Sequence, residues 1–455
     1  MLPHFRWCVL WLCYSFFSAS LPAQSPYLPA DSSALFARLD AIAAASIARL
    51  PAGFEAGAAE IYLDRSEDLK EGIRDSSFLF DPTFQSLVEG IVNDLIATND
   101  LTLSPLVLIS RSPAVNASSL GDGLFVVNLG LLHRIKSSDE LAFVIGHELG
   151  HDQLGHLVDK LDYLVQQRTG EATDRRSRRE MRRRLRQEGR EKIMLGLRDL
   201  AYEHSRHSRH NELTADSVGA SYLLSSSYSV AAATNALTRL RDDVGPTLEA
   251  GVTARLLTTQ AYPFKEKWIA TAPTLFGGSF GTPQDEQGAS FWQQDSLASH
   301  PDLEERIAVS VKWGGSVSPA VTEFTPHPLV EPSRQLMVRA YLDAGLGAHA
   351  LQLSLIALSQ GAVDEAFYRA AVGEALLETY RSIETHTFDR RTPPTTYWAD
   401  AGGAELLRFL HQIRNSELQK LILSYLYEQS VHLPDNEYLT AVAGKATHYF
   451  NTLDK

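Results

Sequence analysis

The segment His147-Glu148-Leu149-Gly150-His151 sets two imidazoles four residues apart with a carboxylate between them. On an α-helix, residues i and i+4 share a face, so His147 and His151 can offer two ring nitrogens to one zinc ion. Glu148 is rotated off that line, where it can serve as general base toward a water the metal activates. The chain just upstream reads as the start of a helix. Ser137-Ser138-Asp139-Glu140 supplies an N-cap serine with Glu140 three residues later, and Leu141, Val144, Ile145, Leu149 and Leu154 follow at helical spacing.

Two histidines and a water leave one ligand to be found. His156 lies five residues beyond His151, which on a continuing helix turns it away from the ligand face. Positions 154 and 157 are both leucine, so the third donor must come from elsewhere in the chain. The best candidate is Glu212, in the run Ser208-Arg209-His210-Asn211-Glu212-Leu213-Thr214-Ala215-Asp216. On a second helix Glu212 and Asp216 share a face. Glu212 then completes a set for one zinc per chain, while Asp216 accepts the remaining ring N–H of a ligand histidine and fixes its tautomer. His204, His207 and His210, spaced by three, read as a polar helix face rather than a second metal site.

Four stretches in this order resemble the HtpX/BepA-type gluzincin peptidases, family forty-eight of the metallopeptidases. They are Val115-Asn116-Ala117 with Gly121 to Leu132, Asp139 to His156, Ser208 to Gly219, and Ser299-His300-Pro301 with Glu305-Arg306-Ile307. The resemblance spans roughly Asp81 to Ile307 and departs at Gly121-Asp122-Gly123, where many members have Pro-Gly-Gly. It implies an α+β fold: a mostly helical gluzincin domain with a small β-sheet. The activity implied is that of a zinc endopeptidase acting on membrane-associated or misfolded proteins. It also implies supporting roles for Arg209, beside an acidic neighbour, and for His300 or Arg306 near the reacting carbonyl.

The composition reads as globular. The chain has 455 residues, 44% of them hydrophobic and 21% charged, enough for two or three domains. Its net charge of −13 argues against nucleic acid as a partner. His4 and Arg6 followed by the apolar run Trp7 to Leu21, with Ala19, Ser20 and Ala23 as small residues, read as an export signal over 1–23. The expected location is periplasmic or cell-envelope, with the protein water-soluble after cleavage. Both cysteines, Cys8 and Cys13, fall inside that segment, so the mature chain would have no thiol chemistry. A helical leader is expected over 24–80, the peptidase domain over 81–330 and a helical domain over 331–455, which loosely resembles a repeat array but shows no regular period.

Within the peptidase domain, Asp81-Pro82 marks a helix start, and Pro105–Ser110 and Leu124–Val127 read as strands. Arg175 to Arg190 holds nine arginines against Glu180 and Glu188. It is a solvated basic helix or an arm for anionic lipid or an acidic partner. Gly277 to Gly288 reads as a loop over the cleft.

The chemistry expected is hydrolysis of a peptide bond. Zinc sits on His147, His151 and Glu212, Glu148 moves the proton, and the substrate, an unfolded or membrane-associated protein or peptide, is laid as a strand against Leu124, Phe125, Val126 and Val127. The competing expectation is a chaperone or scaffold with a structural or latent zinc site, in which Glu148 would have no task.

Overall fold

The computed structural model describes residues 25–50, 55–156, 209–241, 245, 247–270, 303–314 and 327–453. The export segment, Arg175–Arg190, the glycine-rich stretch and His300 lie outside the described residues.

The sheet comes from short runs of β-branched and aromatic residues. Its strands are β1 (Phe78–Leu79), β2 (Leu106–Ser110), β3 (Ala117–Ser119) and β4 (Leu124–Asn128), in the spatial order β1-β2-β4-β3. β2 and β4 are parallel, with Leu106 opposite Leu124, and β3 returns antiparallel on β4 with Ala117 opposite Val127. The β3–β4 turn, Gly121-Asp122-Gly123, has φ of 87°, 56° and 78°. These angles favour glycine at its two ends.

Alternate side chains of β2 and β4 enter different cores, as the period of two requires. Val107, Ile109, Phe125 and Val127 join the large core, with helices α3 (Pro82–Thr98) and α5 (Ser138–Gln153). Leu106, Leu108 and Leu124 face the other way, onto Leu39 of α1 (Ser32–Ala48) and Leu69 and Ile73 of α2 (Glu55–Arg74). The N-terminal helices thus form a third layer against the sheet. Arg65 of α2 is buried and donates to the Leu120 carbonyl, and Arg49, at the end of α1, pairs with Asp122.

Helix starts follow the sequence. Asp81 accepts from the Thr83 and Phe84 amides at 2.9 and 3.3 Å, with Pro82 in the first turn. Ser137 Oγ accepts from Glu140 N at 3.1 Å, and Glu140 reaches back to Lys136 N at 2.8 Å. A short helix α4 (Leu129–Arg134) stands between β4 and α5. After it come α6 (Arg209–Leu224), α7 (Ala232–Arg241), α8 (Val252–Leu257) and α9 (Leu303–Ser310).

The C-terminal part is helical: α10 (Val330–Asp343), α11 (Gly347–Ser359), α12 (Glu365–Glu384), α13 (Phe388–Arg391), α14 (Ala401–Gln412), α15 (Asn415–His432) and α16 (Glu437–Leu453). α10 and α11 are separated by a short turn. Gly345, at φ 72°, lies in it. These helices share the large core with the sheet, α3 and α5, from Leu79 to Phe450. Polar contacts join them as well: His133 to the Val330 carbonyl at 3.1 Å, Leu248 N to Asp400 at 3.0 Å, and Gln260 N to Glu428 at 2.7 Å. Among the described residues, no helix is long and apolar enough to cross a membrane.

Candidate metal centre

Helix α5 is buried on nearly every side from Glu140 to His151, because β3, α3 and α6 all pack on it. Its crossing with α6 brings backbone to backbone. A Cβ on Gly150 would sit 2.9 Å from the Ala215 carbonyl oxygen, and one on Gly219 would sit 2.8 Å from His147 N. Glycine at these two points lets the helices approach closely enough for Glu212, in the first turn of α6, to reach the two histidines.

The three side chains converge. His147 Nε2 and His151 Nε2 are 3.0 Å apart. Glu212 Oε2 is 3.6 Å from the first and Glu212 Oε1 is 3.4 Å from the second. All three residues are buried, and Glu212 is 0% exposed. Two nitrogens each bound to zinc at about 2.0 Å in a tetrahedron lie about 3.3 Å apart, so this spacing fits the ion. The donor set, two imidazoles and a carboxylate, is also zinc's own preference.

The opposite ring nitrogens are held. His147 Nδ1 lies 2.8 Å from Asp216 Oδ1. Asp216 in turn accepts from Arg306 Nε at 2.7 Å and Nη2 at 2.8 Å, while Arg306 Nη1 lies 2.9 Å from Glu212 Oε2. Burial by itself lowers the His147 pKa, but the bond to Asp216 and the charges of Asp216 and Glu212 bring it above its ordinary value. For Asp216, burial acts to raise the pKa, and the bonds to His147 and Arg306 outweigh it, leaving it below the ordinary value. The guanidinium of Arg306, on α9, thus pairs with the ligand Glu212 and with Asp216 behind His147, and it also lines the cavity beside His147 and Glu148.

Glu148 turns toward the sheet, and its Oε2 accepts from Ser119 N at 2.7 Å. Ser119 closes β3, the outer strand on the side of β4 away from β2. From sequence, Leu124–Val127 is expected to receive the substrate strand. The structure corrects this: β4 is paired on both sides, parallel to β2 and antiparallel to β3, so its main chain has no free edge. On this side of the sheet the edge strand is β3, Ala117–Ser119. The sequence concealed it because β3 is only three residues long and carries two serines.

Beside His147 and Glu148 lies a cavity of about 70 Å³, with walls from Val115, Ala117, Phe143, Val144, Leu237 and Leu240. The ion pair of Glu140 and Arg239, at 2.8 Å, also lines it. Arg209 opens α6, and its side chain lies outside the described residues. His210 is exposed. Leu154 is 42% exposed, because α5 stops at Gln153. Three contributors went unread in the sequence: the Ser119 amide, the Arg306 clamp, and His156, whose Nδ1 lies 2.8 Å from His151 Nδ1. The small residues Gly146 and Gly150 on α5, facing Ala215 and Gly219 on α6, were a usable signal for the helix crossing.

Two histidines one turn apart on a buried helix, a glutamate from a crossing helix and an interposed Glu148 define a zinc metallopeptidase centre. The chain belongs to peptidase family M48, whose sequence profile matches residues 82–313. Over 53 residues it is 47% identical to the mitochondrial metalloendopeptidase OMA1 of Arabidopsis thaliana, a match that spans 12% of this chain and 11% of that protein's length.

Proposed function

We propose that this protein is a zinc-dependent endopeptidase that hydrolyses extended, unfolded polypeptides, with Glu148 as general base. The observation that supports it most is the placement of Glu148. It lies beside the converging His147, His151 and Glu212 donors and at the same time touches β3, the edge strand on this side of the sheet. A purely structural zinc site has no use for a carboxylate there.

A bound zinc supplies a Lewis acid and lowers the pKa of a neighbouring water. Glu148 takes a proton from that water as its oxygen attacks the scissile carbonyl carbon, and passes the proton to the departing amine nitrogen as the C–N bond breaks. The substrate is held as a strand along β3. Asn116 and Leu120 spend their backbone groups on β4, through Asn128 N to Asn116 O at 3.1 Å and Leu120 N to Leu124 O at 2.8 Å. In an antiparallel pair the intervening residues face outward, so Ala117 offers its N–H and C=O to a peptide. Main-chain bonding of this kind asks little of sequence and favours unfolded segments. The 70 Å³ cavity receives one apolar side chain flanking the scissile bond.

Glu148→Gln tests the reading. The variant should bind zinc and fold as the parent does, and lose cleavage of an unfolded protein such as casein by about 10²-fold or more. Undiminished cleavage would remove Glu148 from the mechanism. Export belongs to the same proposal, motivated by the Trp7–Leu21 run, and predicts a mature N-terminus near Leu21 or Gln24 by mass spectrometry. An intact Met1 would refute it.

A further inference from the structure

The two histidines of the metal centre are oriented by unlike partners. His147 has a carboxylate behind it, Asp216. His151 has a third imidazole, with His151 Nδ1 and His156 Nδ1 at 2.8 Å and the rings crossed at 67°. His156 is 6% exposed.

This contact depends on how α5 ends. Were the helix to continue, residue 156 would stand about 140° around the axis from residue 151, on another face. Instead Leu154 N bonds the Gly150 carbonyl at 3.0 Å and Gly155 takes a left-handed conformation, φ 69°. Nothing lies within 4 Å of where a Gly155 Cβ would be, so conformation rather than space calls for glycine there. The left-handed step folds the chain back and carries His156 onto the ring of His151.

Two imidazole nitrogens in hydrogen-bond contact need one hydrogen between them, and the metal centre decides which ring owns it. His151 Nε2 faces His147 Nε2 and Glu212, so its lone pair must be free on that side and its hydrogen must sit on Nδ1. His151 then donates, and His156 accepts through Nδ1 while carrying its own hydrogen on Nε2.

We propose that His156 is the positioning residue for the ligand His151. It fixes that ring's tautomer and angle, as Asp216 does for His147, without adding negative charge to a centre that already holds Glu212 and Asp216. The proposal rests on the zinc reading of His147, His151 and Glu212.

The geometry predicts which replacements work. The amide oxygen of asparagine reaches about where Nδ1 of histidine lies, whereas the oxygen of glutamine reaches about as far as Nε2. His156→Asn should therefore keep an acceptor for His151. His156→Gln should misplace it, and His156→Leu should fill the space without one. Zinc affinity is measured on purified protein by competition with a chromophoric chelator, and the visible absorption of the cobalt(II)-substituted protein reports ligand geometry directly. Thermal unfolding of the metal-free forms checks folding.

His156→Leu is expected to bind zinc about 10- to 100-fold more weakly with an altered cobalt spectrum, and His156→Asn to stay within about 3-fold of the parent with the parent spectrum. Equal affinities and spectra for the parent, His156→Leu and His156→Gln would overturn the proposal. If the leucine variant does not fold, the asparagine and glutamine pair decides, and equal affinity in those two overturns it. A parent protein that binds no zinc would instead bring down the underlying site, an outcome distinguishable from the first.

Discussion

Ser119 N donates to Glu148 Oε2 at 2.7 Å, which ties the proposed general base to the strand along which substrate is to lie. On the proposed reading, the outer edge of β3 takes the peptide at Ala117 and aims the carboxylate two residues further on. A substrate strand in register with Ala117 brings its carbonyl to a base already oriented by that strand.

Removing this amide should lower turnover without emptying the metal site. Proline is tolerated on an edge strand where the lost N–H faces outward, and Ser118 is already extended as a residue before proline prefers. Ser119→Pro should retain one zinc and lose kcat by about 10-fold or more, while Ser119→Ala, which keeps the amide, should match the parent. Zinc content and peptide hydrolysis are measured on the same preparations, and full kcat in the proline variant would show that the amide does not orient Glu148.

Arg306 answers two buried carboxylates at once, through Nε and Nη2 to Asp216 and Nη1 to Glu212. Taking it away leaves both charges in a site from which water is excluded. Arg306→Met should destabilise the metal-free protein by about 3–5 kcal/mol at neutral pH, measured by denaturant unfolding. Arg306→Lys restores a positive charge without the planar fork and should recover only part of that loss. Stability equal to the parent in the methionine variant would mean that the carboxylates are compensated by other groups.

Much of this arrangement was readable in the sequence, because it is local. His147, Glu148 and His151 declare themselves by spacing on one helix, and Ser137 and Asp81 by their capping residues. Glu212 was reachable because its own helix pairs it with Asp216. What escaped depends on where a helix stops or which strand lies outermost. His156 was rightly kept out of the ligand set, but its contact with His151 went unforeseen because Gly155, one residue, ends the helix. Leu124–Val127 was taken for the receiving edge because strand order is a long-range property, and the apolar run looks more like a strand than Ala117-Ser118-Ser119 does.

His133 should make stability depend on pH. Burial lowers its pKa from the ordinary 6.5 to about 4, against the raising effect of its bond to the Val330 carbonyl. The folded form thus resists protonation more than the unfolded chain does. The stabilisation is fully present above about pH 6.5 and is lost as pH falls toward 4, where both forms become protonated. The loss across that window is on the order of 2 kcal/mol. His133→Asn, whose side-chain amide can keep a donor where Nδ1 meets the Val330 carbonyl, should flatten this part of the curve in urea unfolding measured from pH 4 to 7.5. An unchanged pH dependence would assign the acid sensitivity to other groups.

The cavity beside Glu148 should set which peptide bonds are cut. An enclosed apolar cavity of about 150 Å³ accepts a benzene ring. At about 70 Å³, this one suits the tip of a valine, leucine or methionine and is too small for an indole. Leu240 and Ala236 face it from α7, one turn apart, so they bound its size without touching the metal ligands. Leu240→Ala should deepen it and raise cleavage beside phenylalanine relative to leucine by about 10-fold in kcat/KM, the scale that one or two methylene groups command in an apolar pocket. Ala236→Phe should fill it and move the preference toward alanine and glycine. Both variants should hold one zinc as the parent does. Cleavage sites are mapped by mass spectrometry on a degenerate peptide library, and a library profile that stays the same in both variants would show that the substrate side chain is seated elsewhere.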